Sequence, residues 1–330
     1  MKAILNHLFE QKSFSRPEAK AILTDLAQGK YNSSQMAAFI TAYCMRLVTV
    51  DELAGFRDAM LELCLPAELG TTEVIDLCGT GGDGKDTFNI STLASFVVAG
   101  AGYKVAKHGN YGVSSGCGSS NVMEHLGYKF TNDRDALRRQ LESSGICFLH
   151  APLFHPAMRT IAPIRKELGV KTFFNMLGPL VNPANPDYQM AGVFSLELAR
   201  LYAYLFQSSG KKYMILHGLD GYDEVSLTSD FKTYTNTGEQ VQDITQLGFD
   251  KIDAGTIGGG STVSDSAAIF QQVLSADGSA EQQNVVLCNA ALGIRTIHPE
   301  KSFADCYYEA EESLLSKKAL LSFTRLIHEN

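Results

Sequence analysis

Residues 74–92 read VIDLCGTGGDGKDTFNIST, and the reading of this stretch decides the fold. VIDLC (74–78) is a short, β-branched apolar run of the kind that forms a buried strand. GTGGDG follows at once, and NIST then leads into an apolar segment through 92–101 that reads as a helix. Strand, glycine loop, helix is the grammar of an α/β sheet. Outward from this unit the same alternation continues. YKVAK (103–107), CFLH (147–150) and YMILHG (213–218) read as further strands, with helical stretches at 133–143 and 196–208 between them. Strands alternating with helices predict a mainly parallel sheet covered on both faces. A β-rich stretch near 223–248 precedes helices expected at roughly 264–274, 280–293 and 301–328.

Upstream, residues 1–65 show helical spacing throughout: Ile4, Leu5, Leu8 and Phe9, then Phe39, Ile40 and Tyr43, then Leu53, Phe56 and Met60. Ser15-x-x-Glu18, with Pro17 just inside, and Thr49-x-x-Glu52 are capping boxes that mark two helix starts. Pro66 and Gly70 close the run. The chain therefore divides into a small helical domain over 1–70 and an α/β domain over 71–330. Six of the nine prolines fall between 152 and 186. That crowding marks a segment which leaves the sheet, so part of 152–190 is expected to join the helical domain.

Composition bounds the function. Of 330 residues 45% are hydrophobic and 19% charged, which suits a chain with a real core and excludes wholesale disorder. The 28 basic and 36 acidic residues leave a net charge of −8, which argues against a whole-surface grip on nucleic acid or anionic membrane. A local basic pocket remains compatible with it. Seven cysteines without a Cys-x-x-Cys pair suit reduced thiols better than a disulfide framework or structural zinc. MKAILNHLFEQK contains no apolar run of signal-peptide length, and nowhere do eighteen apolar residues follow one another. Together these features predict a soluble cytoplasmic protein.

The chemistry concentrates where the glycines do, with 11 of 29 between 79 and 127. Gly79-Thr80-Gly81-Gly82-Asp83-Gly84 after a strand can turn several backbone N–H groups into one concavity, an anion nest, although a glycine run alone is as readily a tight turn. Its spacing is neither G-x-G-x-x-G nor a P-loop, so neither a dinucleotide site nor a Walker motif is supported. Asn89-Ile90-Ser91-Thr92 stands at the next helix entrance, where free N–H groups and the helix dipole attract phosphate; capping is the plainer role of these residue types. Two such elements so close together suggest a ligand with more than one phosphate. Lys107-His108-Gly109-Asn110-Tyr111-Gly112-Val113-Ser114-Ser115 follows the second strand as a third anion-binding element, and Ser119 and Ser120 open another helix. His108 alone reads equally as an ordinary hydrogen-bonded histidine or as a substrate contact. His217-Gly218-Leu219-Asp220-Gly221-Tyr222-Asp223-Glu224 supplies adjacent acids at another strand end. Beside polyphosphate cradles these suit Mg²⁺, which takes a few carboxylate oxygens plus water. No zinc-spaced His/Cys cluster and no G-x-S-x-G elbow is present.

GTGGD, NIST, KHGN…VSS…GSS, IAPIRKELGVKTFFNMLGPLVNP (161–183), HGLDGYDEVSL (217–227) and NAALGI (289–294) occur in one order. This ordered set, spread over essentially the whole chain, resembles the anthranilate phosphoribosyltransferases of tryptophan biosynthesis. The resemblance implies a nucleoside phosphorylase/phosphoribosyltransferase-like two-domain architecture: a small all-helical domain and a larger α/β domain with a mainly parallel central sheet. The implied substrates are anthranilate and phosphoribosyl pyrophosphate (PRPP). Carried over by motif, Gly79, Gly82, Asp83, Thr87, Asn89, Ile90, Ser91, Thr92, Ser119 and the loop from Lys107 to Ser115 would hold PRPP. Ser91, Asp223 and Glu224 would bind two Mg²⁺ ions per subunit. Gly79, Asn110 and Arg165 would hold anthranilate, with His108 and Gly178 lining its channel. A guanidinium independently suits a planar carboxylate at Arg165, though on an amphipathic helix it would otherwise read as a surface residue. No general acid or base is assigned, and a homodimer is implied.

Two departures stand out. Tyr111 and Gly112 occupy positions where this family commonly has Arg and then Ser or Ala, which removes a positive charge from the PRPP loop. Gly258-Gly259-Gly260-Ser261 lacks the acid often found after a shorter Gly-Gly and reads as a loop without assigned chemistry. Two other functions compete. A pyrimidine-nucleoside phosphorylase resembles this family in fold, but intact GTGGD and NIST with the Asp-Glu pair favour the transferase. A non-catalytic nucleic-acid binder should show degraded motifs and a basic surface, and this chain has neither.

Overall fold

The computed structural model describes residues 1–112 and 117–329. The chain forms two compact units, Met1–Pro66 with Ala151–Pro183, and Ala67–His150 with Ala184–Asn330.

The first unit opens with α1 (Lys2–Phe9), α2 (Arg16–Ala27), α3 (Ser33–Cys44) and α4 (Val50–Glu62). Both expected capping boxes are formed. Glu18 accepts from the Ser15 N–H at 2.9 Å, and Glu52 accepts from the Thr49 N–H at 3.0 Å while Thr49 Oγ1 accepts from the Glu52 N–H at 3.3 Å. Glu52 does more than cap. It is fully buried and also takes the Phe14 N–H (3.1 Å), the Tyr43 hydroxyl (2.9 Å) and the Arg46 guanidinium.

The second unit takes over with β1 (Ile75–Gly79), α5 (Ile90–Gly100), β2 (Val105–Gly109), α6 (Ser119–His125), α7 (Arg134–Ser144) and β3 (Ile146–His150). The chain then returns to the first unit through α8 (Ala151–Phe154) and α9 (Ala162–Leu168), with short 3₁₀ turns around them. This return is anchored by Phe173, whose ring lies 4.6 Å from Phe56 and 5.2 Å from Tyr43 between centroids. Burying a ring of this size stabilises by about 2–3 kcal/mol, which is why the proline-rich crossing stays with the helices.

Back in the second unit follow β4 (Tyr188–Gly192), α10 (Leu196–Gln207), β5 (Lys212–Gly218), the hairpin β6 (Phe231–Thr235) and β7 (Gly238–Gln242), then α11 (Val263–Leu274), α12 (Ala280–Ile297), α13 (Phe303–Leu315) and α14 (Lys318–His328). The expected helix over 301–328 is two, broken where Lys317 takes φ +65°. The one expected over 280–293 runs on to Ile297.

Among the described residues the sheet has seven strands in the order β3-β2-β1-β4-β5-β6-β7, parallel through β5 and antiparallel at β6 and β7. Helix α5 is mostly apolar and buried from Thr92 to Ala99, with α12 and α14 packed on it. The strand order reverses at β1–β4. In open parallel sheets the crevice beyond the carboxyl ends at such a switch point is where ligands sit. Because β1, β2, β4 and β5 run the same way, the loops after them converge on one edge. Those loops carry the sequence motifs.

Candidate active site

The edge is built on two facing glycines. Gly79 and Gly192 end β1 and β4 in register, and Thr80 N–H donates to the Gly192 carbonyl at 2.9 Å. The loop after β5 crosses directly over them. A Cβ on Gly192 would lie 2.6 Å from the Asp223 carbonyl carbon, and one on Gly79 would lie 2.9 Å from the Asp223 carboxyl carbon. These glycines thus admit Asp223 to the strand ends, a reason for Gly79 beyond ligand approach.

Asp223 and Glu224 then dock onto the two elements that the glycine and NIST motifs mark. Asp223 Oδ2 accepts the Gly81 N–H at 2.6 Å, in the run where Gly81, Gly82 and Gly84 take φ of +67°, +78° and +78°. Side chains with a Cβ rarely adopt such values, so this turn is available to glycine. Glu224 Oε1 accepts the Ser91 N–H at 2.9 Å, at the first turn of α5. Burial, reinforced by Glu224 and Asp83, pushes the Asp223 carboxyl well above the usual carboxylate range. Burial likewise pushes Glu224 up to about 7, against hydrogen bonds from Ser91 and the charge of Lys107. Two adjacent, mutually repelling carboxylates, one buried and one half-buried, offer hard oxygen donors that fit a divalent cation such as Mg²⁺. Among the described residues no group of three or more His, Cys, Asp and Glu is placed to hold a metal ion.

The plainer capping role is not met at the NIST segment. Asn89 occupies the N-cap position of α5 but makes no cap bond; Glu224, distant in sequence, takes that N–H instead. Asn89 Nδ2 reaches the Cys117 carbonyl at 3.3 Å, while its Oδ1 is buried without a hydrogen-bond partner among the described residues. A buried amide oxygen left unpaired costs about 1–3 kcal/mol, so it awaits a donor. Ile90 and Thr92 are buried in the same first turn.

Lys107 is buried, its Nζ donating to the Leu77 carbonyl at 2.5 Å and lying 3.4 Å from Ser91 Oγ. Burial lowers its pKa, with Asp76 the leading opposing charge. The loop beyond β2 is tied back at its base. Ser120 N–H donates to the Asn110 carbonyl at 3.2 Å, and Asn121 Oδ1 accepts from the N–H groups of Gly112 (2.9 Å) and Gly118 (3.0 Å). A Cβ on Gly109 would lie 2.6 Å from Ser119 Oγ, which brings Ser119 against the strand end. Tyr111 sets its ring edge-on to His150 at 4.8 Å and reaches Glu124 with its hydroxyl at 3.4 Å. Val113, Ser114 and Ser115 lie outside the described residues.

Asp83 turns back to accept from the Lys85 N–H (2.9 Å) and the Asp223 N–H (3.4 Å). His108 is buried, its N–H on Asp76 Oδ1 at 3.1 Å. Arg165 and Gly178 belong to the first unit. There the Arg165 guanidinium lies 5.2 Å from the Phe174 ring centroid and 3.3 Å from Asn175 Oδ1, with Nε buried and unpartnered among the described residues. Burial lowers its pKa.

Several residues of this edge carried no signal that sequence reasoning used. The Gly258–Gly260 loop, read from the sequence as a loop without assigned chemistry, clamps the segment Asp86–Phe88 that follows the glycine run. Thr87 bridges Gly258, Gly259 N–H donates to the Asp86 carbonyl at 2.7 Å, and Phe88 N–H to the Ile257 carbonyl at 3.1 Å. Lys85 stacks on Tyr222 at 4.5 Å, tying the first loop to the last. Asp76, an acid inside an apolar strand, was the visible clue that went unread.

Comparison with known proteins gives the family. Residues 71–320 match the α/β domain of a glycosyl transferase family, and residues 2–64 match the helical bundle domain of a glycosyl transferase family. The chain is 56% identical to the anthranilate phosphoribosyltransferase of Flavobacterium psychrophilum, over 99% of this chain and 98% of that one. Among solved structures, the anthranilate phosphoribosyltransferase of Thermus thermophilus superposes with a TM-score of 0.91 at 31% identity, over 99% of this chain and 98% of that one. The Saccharomyces cerevisiae enzyme, in complex with PRPP and Mg, gives 0.90 at 25% identity over 99% and 96%. The chain belongs to the anthranilate phosphoribosyltransferases, in the glycosyl transferase family with an α/β and a helical bundle domain.

Proposed function

We propose that this chain transfers the 5-phosphoribosyl group of PRPP to the amino group of anthranilate. The C1–O bond to pyrophosphate breaks, a C1–N bond forms, the amine loses a proton, and pyrophosphate leaves. The observation that carries the reading is the seating of the adjacent acids, buried Asp223 on the Gly81 N–H of the glycine run and half-buried Glu224 on the Ser91 N–H of α5.

An aromatic amine is neutral at pH 7 and already nucleophilic, so a strong base is not obligatory. Stabilising charge on the departing pyrophosphate is the harder task. The Gly79–Gly84 backbone, the Asn89–Thr92 helix entrance, Lys107, Ser119 and the loop to Ser115 hold PRPP, with Gly82, Asp83 and Thr87 shaping the cradle. Asp223, Glu224 and Ser91 hold Mg²⁺, two ions per subunit, which when bound supplies countercharge to the pyrophosphate. Arg165 and Asn110 orient anthranilate, with Gly79, His108 and Gly178 lining its path. A homodimeric state and a cytoplasmic location complete the reading, supported by the family resemblance. The net charge of −8 favours small-molecule substrates over nucleic acid. No described helix is long and apolar enough to cross a membrane.

The test is product identity. Purified protein with anthranilate, PRPP and Mg²⁺ should yield N-(5-phosphoribosyl)anthranilate and pyrophosphate in equal amounts by mass spectrometry and phosphate release. A pyrimidine nucleoside cleaved by inorganic phosphate in its place would establish the phosphorylase reading.

A further inference from the structure

The β1–β2 pairing is irregular at one place. β1 pairs with β4 from Ile75 to Gly79, and β2 pairs with β3 from Val105 to Gly109. Between β1 and β2 the register holds only at Ile75↔Val105. Regular parallel pairing would next set the His108 N–H on the Leu77 carbonyl. Both partners of that rung are instead taken by side chains: the His108 N–H by Asp76 Oδ1 at 3.1 Å, the Leu77 carbonyl by Lys107 Nζ at 2.5 Å. The two strands are bridged here by an acid and a base, immediately below the loops that carry the phosphate motifs.

Asp76 is fully buried in the middle of an apolar strand. Such a carboxylate is destabilising unless it is paired and hydrogen-bonded. Its register partner on β4 is Gln189, whose Nε2 lies 3.4 Å from Asp76 Oδ2, and Cys78 Sγ lies 3.7 Å from the same oxygen. Gln189 also reaches Cys78 Sγ at 3.4 Å, so three side chains on one face fix the carboxylate's direction. From this position it holds the backbone at His108, one residue before Gly109 and the loop. It is also the leading negative charge acting on the buried Lys107 ammonium.

We propose that Asp76 is a positioning residue for PRPP: it replaces a β-ladder rung, fixes the base of the loop after β2 and balances the charge of Lys107. It touches no substrate and acts through His108 and Lys107. This inference rests on the functional reading above. It names a residue outside every motif considered for substrate contact, and it explains an acid that the strand would otherwise exclude.

The test uses Asp76→Asn, which can keep the acceptor for the His108 N–H if Gln189 turns its amide over, but loses the charge. Asp76→Ala loses both. PRPP affinity in the presence of Mg²⁺ is measured by calorimetry, and the KM values for PRPP and anthranilate by steady-state kinetics. Thermal unfolding runs alongside. The expected result is a rise of about 10-fold in Kd and KM for PRPP in Asp76→Asn, and up to about 100-fold in Asp76→Ala. A merely structural acid would lower the unfolding midpoint and the active fraction while leaving the PRPP KM alone, and that outcome overturns the proposal. Should Asp76→Ala fail to fold, a double-mutant cycle of Asp76→Asn with Lys107→Met decides: non-additive losses support action through Lys107, and additive losses overturn it. Wild-type protein that binds no PRPP would defeat the functional reading. Wild type and Asp76→Asn binding PRPP equally would defeat only this inference.

Discussion

Gly79→Ala bears most directly on the seat of Asp223, and a Mg²⁺ titration separates that effect from those on the substrates. Gly79 is not among the residues with positive φ, so alanine brings no backbone strain there. Its added carbon would lie 2.9 Å from the Asp223 carboxyl carbon and 3.3 Å from the Asp223 carbonyl oxygen. Carbon atoms pack at about 3.5–4.0 Å, so the carboxylate must retreat by roughly 0.6–1 Å. That movement pulls Oδ2 off the Gly81 N–H, now 2.6 Å away. A displacement near 1 Å at a group that orders the reacting centre costs about 10²-fold in rate, and overpacking costs about 1–3 kcal/mol in stability. The assay is anthranilate consumption across a Mg²⁺ titration, with thermal unfolding in parallel. A folded variant with kcat/KM down about 10²-fold and a raised Mg²⁺ requirement is expected. Loss of less than about threefold with an unchanged Mg²⁺ requirement would refute the argument that Asp223 must sit against Gly79.

Asp223→Asn with Glu224→Gln should abolish turnover, a loss of at least ~10³-fold at saturating Mg²⁺, while the fold remains; single-turnover rates near wild type would remove the metal assignment. Arg165→Ala should raise the anthranilate KM by about 10-fold or more and leave the PRPP KM unchanged, and equal effects on both would reassign Arg165. Glu52→Ala strands the buried Arg46 and unpairs the Tyr43 hydroxyl and Phe14 N–H, so unfolding free energy should fall by about 3–5 kcal/mol; denaturant titration showing less than about 1 kcal/mol would contradict the network. Burial holds the His150 imidazole below its ordinary 6.5. The unfolded chain therefore binds that proton at higher pH than the folded one, so the stability His150 contributes is full above 6.5 and falls away as pH drops through the folded value. His150→Phe, which can keep the stack on Phe130, should flatten the fall in unfolding midpoint between about pH 7.5 and 5.5, and parallel curves would exclude the effect.

The fold was legible where local chemistry governs it. VIDLC followed by GTGGDG reads as strand and nest because β-branched burial and positive-φ glycines are local requirements, and both are met at 75–84. The capping boxes at Ser15 and Thr49 were legible for the same reason. Strand β4 was not: Tyr188-Gln189-Met190-Ala191-Gly192 has little β-branched character and becomes a strand through its neighbours β1 and β5. Within the site, the Asp-Glu pair could be picked out beside a phosphate motif. That Glu224 would cap α5 in place of Asn89 could not, since the contact joins positions 133 residues apart. Gly258–Gly260 was equally opaque, because its partners, Asp86 to Phe88, meet it only once the sheet is built. Arg165 would have passed for a surface residue had the ordered motifs not resembled a known family; its burial against Phe174 is a tertiary fact. Tyr111 stands where a charge was expected, and its contacts are an aromatic edge on His150 and a hydroxyl near Glu124.

The central claim is that PRPP, anthranilate and a divalent cation meet in one reaction on this chain. Loss of anthranilate fluorescence with purified protein tests it most directly, with PRPP, Mg²⁺ and a matched EDTA control. Decay that requires PRPP, stops with EDTA and resumes when Mg²⁺ is restored in excess is the expected result. Fluorescence that stays constant with every component present, while the protein is folded and binds PRPP, would contradict it and point to another phosphoribosyl acceptor.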